Sequence, residues 1–114
     1  MDNLYDLLQL IREKPGMYLG RPSIEALYMF LTGYNFARRQ LNVPLSEQEI
    51  AFQHFQPWLQ RYYAIKTSQS WSGIIQAQTA NEVEAFKRFF ELLTLFVEGE
   101  YALFVQGEIV DATR

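Results

Sequence analysis

Between Asn81 and Glu98 the chain carries apolar residues on so wide an arc that only a central helix, covered on several sides, can bury them. Val83, Phe86, Phe90, Leu93 and Val97 follow three- and four-residue spacings, and Phe89, Leu92 and Phe96 make a second stripe beside them. Asn81 with Glu84 three residues later has the pattern of a capping box, which marks where the helix starts. Glu84, Lys87, Arg88, Glu91 and Glu98 hold the remaining face, with Glu84 and Arg88 spaced as an i,i+4 pair. Gly99 is read as the end of this helix.

The rest of the chain offers the cover. Asp2 or Asn3 can cap a first helix with Leu4, Leu7, Leu8 and Ile11 on one face and the basic Arg12 and Lys14 at its C-terminal end. Pro15-Gly16 reads as a turn, Pro presetting φ and Gly taking the positive φ that follows, and Met17 to Leu19 as an apolar island in a loop. Ser23 is an N-cap for a helix reaching about Gln40, with Ile24, Leu27, Leu31 and Tyr34 as its buried stripe. Gly33 inside it costs about 1 kcal/mol against Ala, which implies close approach of a neighbouring helix or ring. Ser46 and Glu49 form another capping-box pattern ahead of AFQHFQPWLQRYY. Pro57 either kinks that helix or takes the first position of a new one, leaving Gln56 outside. Ser70 caps WSGIIQAQ, where Gly73, Ile74 and Ile75 leave helix and strand both open.

These readings give an all-α fold. Residues 1–114 form a single helical domain, a compact bundle of four to six helices with a short irregular or strand-like C-terminal tail. The length suits one domain, which buries roughly 65% of its unfolded surface without staples. With 49% apolar and 16% aromatic residues the composition excludes disorder. Nine Phe, seven Tyr and two Trp are more rings than a small core hides easily, so some belong at a surface or a subunit contact.

Cysteine is absent, so there is no disulfide framework, no thiol chemistry and no Cys-based zinc site. The first ten residues carry two Asp and no basic cluster, unlike a signal peptide, and no apolar run approaches the ~20 residues that span a bilayer. A cytoplasmic protein without a membrane partner is the expectation. Residues 1–78 carry a net charge of +1 and residues 79–114 a net charge of −4. That acidic third argues against nucleic acid and suits a basic protein partner.

Residues that could carry chemistry are few. His54 is the only histidine, lies between Phe52 and Phe55, and is read as a partly buried neighbour of those rings, not as a metal ligand or base. Glu82, Glu84 and Glu91 are read as solvated carboxylates. No catalytic residue, metal ligand or cofactor is expected. Arg12, Lys14 and Arg21 flank Tyr18, a grouping that can grip phosphates, although the favoured reading has the basic residues end the first helix while Met17, Tyr18 and Leu19 plug the core. Tyr34, Trp58, Arg61 and Trp71 have the composition of binding hot spots. One Trp is assigned to the core and the other to a surface groove. These eight residues make up the candidate binding surface.

The KPGMYLG string resembles the RPGMYIG segment that opens the ATPase domain of gyrase-type type II topoisomerases. The helix that follows here, ALYMFLTGYNFARRQ, lacks that family's catalytic Glu and magnesium-binding Asn, so ATP binding is not implied. Over about 80 residues the chain resembles a family of small bacterial proteins with no assigned activity. The likeness is carried by Pro15 to Gly20, Ser23 to Ala37, Phe55 to Trp58, Ser68 to Ile75 and Glu84 to Leu93, with Lys14 where Arg is usual. Small acidic bacterial proteins of this build include toxin-neutralising immunity proteins. The functional expectation is a non-enzymatic protein-binding module of the immunity or accessory kind. The alternatives are a small-ligand or nucleotide pocket under the PGMYLG loop, and a structural homodimer joined through the last helix and tail.

Overall fold

The computed structural model describes residues 4–105, with side chains up to residue 99. The fold is all-α. Among the described residues seven helices follow in order: α1 (Leu4–Glu13), α2 (Pro15–Leu19), α3 (Ile24–Gln40), α4 (Glu47–Phe52), α5 (Phe55–Tyr62), α6 (Trp71–Ala77) and α7 (Glu82–Val105). Helix α7 packs against α3, α5 and α6, while α1 packs against α2 and α4, α2 against α3, and α4 against α5. The irregular or strand-like tail expected from residue 100 is instead helical as far as Val105, and the rest of it lies outside the described residues. Among the described residues no helix is long and apolar enough to cross a membrane.

The central helix buries Phe86, Phe89, Phe90, Leu92, Leu93 and Phe96, while Val97 is half-buried and Val83 is exposed. Val83 was expected in the stripe but stands in the first turn, ahead of the covered part of the helix. Asn81 Oδ1 accepts from the Glu84 N–H at 2.9 Å, which is the capping half of the expected box. The helix does not end at Gly99. It continues to Val105, because Gly99 does not take the left-handed φ that stops a helix. Arg88 turns away from Glu84 and donates instead to the Tyr63 and Tyr62 hydroxyls and to Glu91.

Residues 15–19 are a helical turn and not a loop. Pro15 sits at the first position, where its fixed φ suits a helix and its missing N–H costs nothing. The left-handed residue is therefore Gly20, at φ 83°, and its N–H returns to the Gly16 carbonyl. Tyr18 and Leu19 pack against the core while Met17 points to solvent. The break ahead of α5 falls at Gln53 and His54, before Pro57. Pro57 is the third residue of α5, where first-turn N–H groups have no partner within the helix, so it neither kinks nor starts it. Segment 71–77 resolves as helix, with the Ser70 hydroxyl accepting from the Gly73 N–H.

Helices α3 and α5 end alike. The Val43 N–H reaches the Arg38 carbonyl and the Asn42 N–H that of Arg39, and Ile65 and Ala64 repeat the pattern on Gln60 and Arg61. The pivot is left-handed in both, Asn42 at φ 57° and Ala64 at φ 55°. Asn tolerates that conformation, but a β-carbon at Ala64 is strained by about 1 kcal/mol. Ala64→Gly should therefore raise stability by about 0.5 kcal/mol once the added freedom of the unfolded chain is deducted, read from the urea midpoint.

Phe55 is the ring on which four helices meet. It is fully buried and lies within 6.0 Å, centroid to centroid, of Phe52, Trp58, Trp71, Phe89 and Phe96. Phe55→Ala should lose about 3–5 kcal/mol in equilibrium unfolding, because five rings cannot all collapse into the space it leaves.

Candidate functional site

The most developed concavity, about 400 Å³, lies between the last turns of α3, the 41–46 connection and α4, with Leu4 of α1 on its wall. Its floor is apolar, from Leu4, Leu31 and Phe52, and Val43 and Leu45 form one lip. Asn35, Arg39 and Gln53 make a polar rim. One wall is an ion pair, Arg38 with Glu49.

Local sequence explains this arrangement. The Ser46 hydroxyl accepts from the Glu49 N–H at 3.1 Å, and Glu49 Oε1 accepts from the Ser46 N–H at 2.9 Å, so the expected capping box is complete. Box geometry turns the Glu49 carboxylate back toward α3, where Arg38 donates from Nη2 to Oε1 at 2.6 Å and from Nε to Oε2 at 3.0 Å. The guanidinium also lies over the Tyr34 ring, 5.3 Å from its centroid. Glu49 is only 6% exposed, yet both its oxygens are occupied. Arg38, ahead of burial and of the Ser46 bonds, holds the Glu49 carboxyl below the usual glutamate range. Glu49 in turn raises Arg38 further above its ordinary value.

Two smaller concavities lie elsewhere on the described residues. A groove of about 300 Å³ runs between α1 and α7, where the Arg12 guanidinium sits 5.5 Å from the centre of the Phe90 ring. A polar hollow of about 190 Å³ lies between the start of α3 and the start of α7, beside Ser23 and Glu82. Glu82 does not titrate as an ordinary solvated acid: the Ser23 hydroxyl, and then Arg21, hold it below the usual range.

The eight candidate residues are dispersed. Arg12 belongs to the α1–α7 groove, and Arg21 pairs with Glu82 at 3.0 Å, eight residues and so about 12 Å further back along α7. Lys14 and Arg61 are exposed, and their side chains have no hydrogen-bond or ion-pair partner among the described residues. Tyr18 is half-buried and packs against the core. None of the three concavities is lined by residues 15–20. Trp71 is buried among Tyr28, Phe52, Phe55 and Phe89, whereas Trp58 is half-buried and stacks on Phe55 and on the exposed Tyr62. One Trp is thus core and the other lies near the surface, but Trp58 lines none of the three concavities. Tyr34 supports the main cleft from beneath Arg38. His54 is exposed in the turn between α4 and α5, not partly buried as expected.

Sequence reasoning reached Glu49 as a capping residue and missed its partner Arg38, along with Asn35, Arg39, Val43, Leu45 and Gln53. The one available signal was the capping box itself, which fixes where the carboxylate points. Among the described residues no group of three or more His, Cys, Asp or Glu is placed to hold a metal ion. No family model, no curated protein and no solved structure matches this chain, so the resemblances rest on their quoted residues alone.

Because the folded Glu49 carboxyl is depressed, its contribution to stability is complete above its ordinary value of 4.5 and is lost as pH falls through the lower folded value. Urea midpoints measured from pH 7 to pH 3 should show that loss in the parent protein. Glu49→Gln should start about 1–2 kcal/mol lower at pH 7 and show a smaller acid-side decline.

Proposed function

We propose that this chain is a non-enzymatic protein-binding module and that its binding face is the α3–α4 cleft with its apolar lip. The observation that carries the reading is the clustering of exposed aliphatic side chains on this edge. Leu41, Val43 and Leu45 lie in one short connection, and Ile50 lies in the helix after it. Scattered apolar residues are ordinary on a surface, but a run of them beside an apolar-floored cleft is the anatomy of a docking site. Asn35, Arg39 and Gln53 supply the polar rim such sites have.

The non-enzymatic part rests on the carboxylates. Both Glu49 and Glu82 are shifted downward by hydrogen-bonding partners, opposite to what a general acid requires. The basic partner suggested by the acidic C-terminal third has less support, since Arg21 offsets Glu82 and Arg88 offsets Glu91. A partner segment that places an aliphatic or aromatic side chain in the cleft and a carboxylate near Arg39 fits the face better. An immunity or accessory role is one form of this reading.

A photo-crosslinking residue at position 41 of the full chain tests it. The expected result is reproducible capture of one protein in the native host and its loss on adding Leu45→Asp. Leu45 is 48% exposed, so that substitution should change stability by no more than about 0.5 kcal/mol. With the captured protein purified, Leu45→Asp should weaken binding about tenfold or more. Capture that is absent, or unaffected by Leu45→Asp, removes the reading.

A further inference from the structure

Helix α3 has a second face. Met29, 63% exposed, and Phe36, 46% exposed, stand on its solvent side with Thr32 and Gly33 between them. A β-carbon at Gly33 would meet nothing within 4 Å. The close neighbour expected from the sequence is therefore not supplied by the described residues. Yet a helix-interior glycine without positive φ is a standing cost against Ala. Glu25 lies toward one end of the same face and Arg39 toward the other, about 21 Å apart along the axis. Neither has an ion-pair partner among the described residues.

We propose that a second copy of this chain docks on this face, α3 against α3, antiparallel about a two-fold axis passing near Thr32 and Gly33. The face is self-complementary under that operation, as a two-fold interface requires. Met29 meets the partner copy's Phe36, and Phe36 meets the partner copy's Met29. Glu25 faces the partner copy's Arg39, and Arg39 faces the partner copy's Glu25. The missing side chain at Gly33 lies at the crossing point, where two helix backbones must come closest. A parallel pairing would instead set Glu25 against Glu25 and Arg39 against Arg39, which disfavours it.

The contact is one pair of helices, at the small end of specific interfaces, so the dimer is weak and concentration-dependent, with a dissociation constant of about micromolar or above. Because Glu25 and Arg39 are exposed, it loosens as salt is raised.

Sedimentation velocity of the full chain over about 1 μM to 1 mM tests this, the range bracketing a weak dimer. The sedimentation coefficient should climb from the monomer to the dimer value. Gly33→Gln should raise the melting temperature, since Gln is the better helix former, while weakening the dimer about tenfold or more. That pair of opposite effects separates loss of the contact from loss of the fold. Glu25→Arg and Arg39→Glu should each weaken association, and the double exchange should restore it. Leu45→Asp should leave the dimer intact, which separates the dimer from the α3–α4 cleft although Arg39 borders both. A monomer throughout the range overturns the proposal. So does a dimer indifferent to Gly33→Gln, a charge exchange that fails to rescue, or a dimer broken by Leu45→Asp.

Discussion

The packing of rings around Phe55 is the constraint from which the rest of the fold follows. Its partners come from four helices: Phe52 from α4, Trp58 from α5, Trp71 from α6, and Phe89 and Phe96 from α7. Edge-to-face contacts dominate toward α6 and α7, and stacked ones join Phe55 to Phe52 and Trp58. Such contacts have directional preferences as well as area, so they fix how the short helices are rotated against α7. A cluster of aliphatic side chains would bury similar area with less control over those angles.

That control matters because four of the helices have eight residues or fewer. Pieces of this length are not stable alone in water, since nucleation is not repaid within two turns. They persist here through packing, α5 and α6 on α7, α4 on α1 and α5, and α2 on α1 and α3, and several are also tied by side chains at their ends. The Ser46 box starts α4, Ser70 starts α6, and the Tyr5 N–H of α1 donates to Gln48 Oε1 at 2.7 Å, tying α1 to α4. Gln56 and Gln60 donate to the Gln69 and Thr67 carbonyls and brace the 63–70 connection against α5. The cleft wall is a by-product of this economy, for the carboxylate that caps α4 is the one that holds Arg38.

What was legible in the sequence was what is local and periodic. Helix α3 runs from Ser23 to Gln40 as its cap and stripe imply, and the wide apolar arc of α7 is covered on several sides. Three features were not legible. Helix α2 depends on Pro15 being read as a first helical residue, and Pro-Gly also spells a turn. The break at His54 has no strong signal, and the nearby Pro57 misplaces it. Gly99 has the letter of a helix stop without the backbone angle of one. For the cleft, Glu49 could be found from its spacing to Ser46. Its pairing with Arg38, eleven residues back and across a reversal of the chain at Asn42, is a tertiary fact.

The surplus of rings noted in the composition is resolved unevenly, and α3 shows why that matters. Its inner side gives Ile24, Leu27 and Leu31 to the core and Tyr34 to the support of Arg38, while its outer side leaves Met29 and Phe36 in solvent. A helix that only covered a core would carry polar residues at those outer positions at no cost to packing. Here the outer positions are large and apolar on either side of a glycine, and the C-terminal end of the same helix borders the cleft. Two copies joined through the outer faces would therefore carry two clefts on one rigid body. A partner offering two segments would then bind the second intramolecularly, raising avidity with no change in either cleft. The helix whose sequence is easiest to read as structure is the one on which both proposed contacts depend.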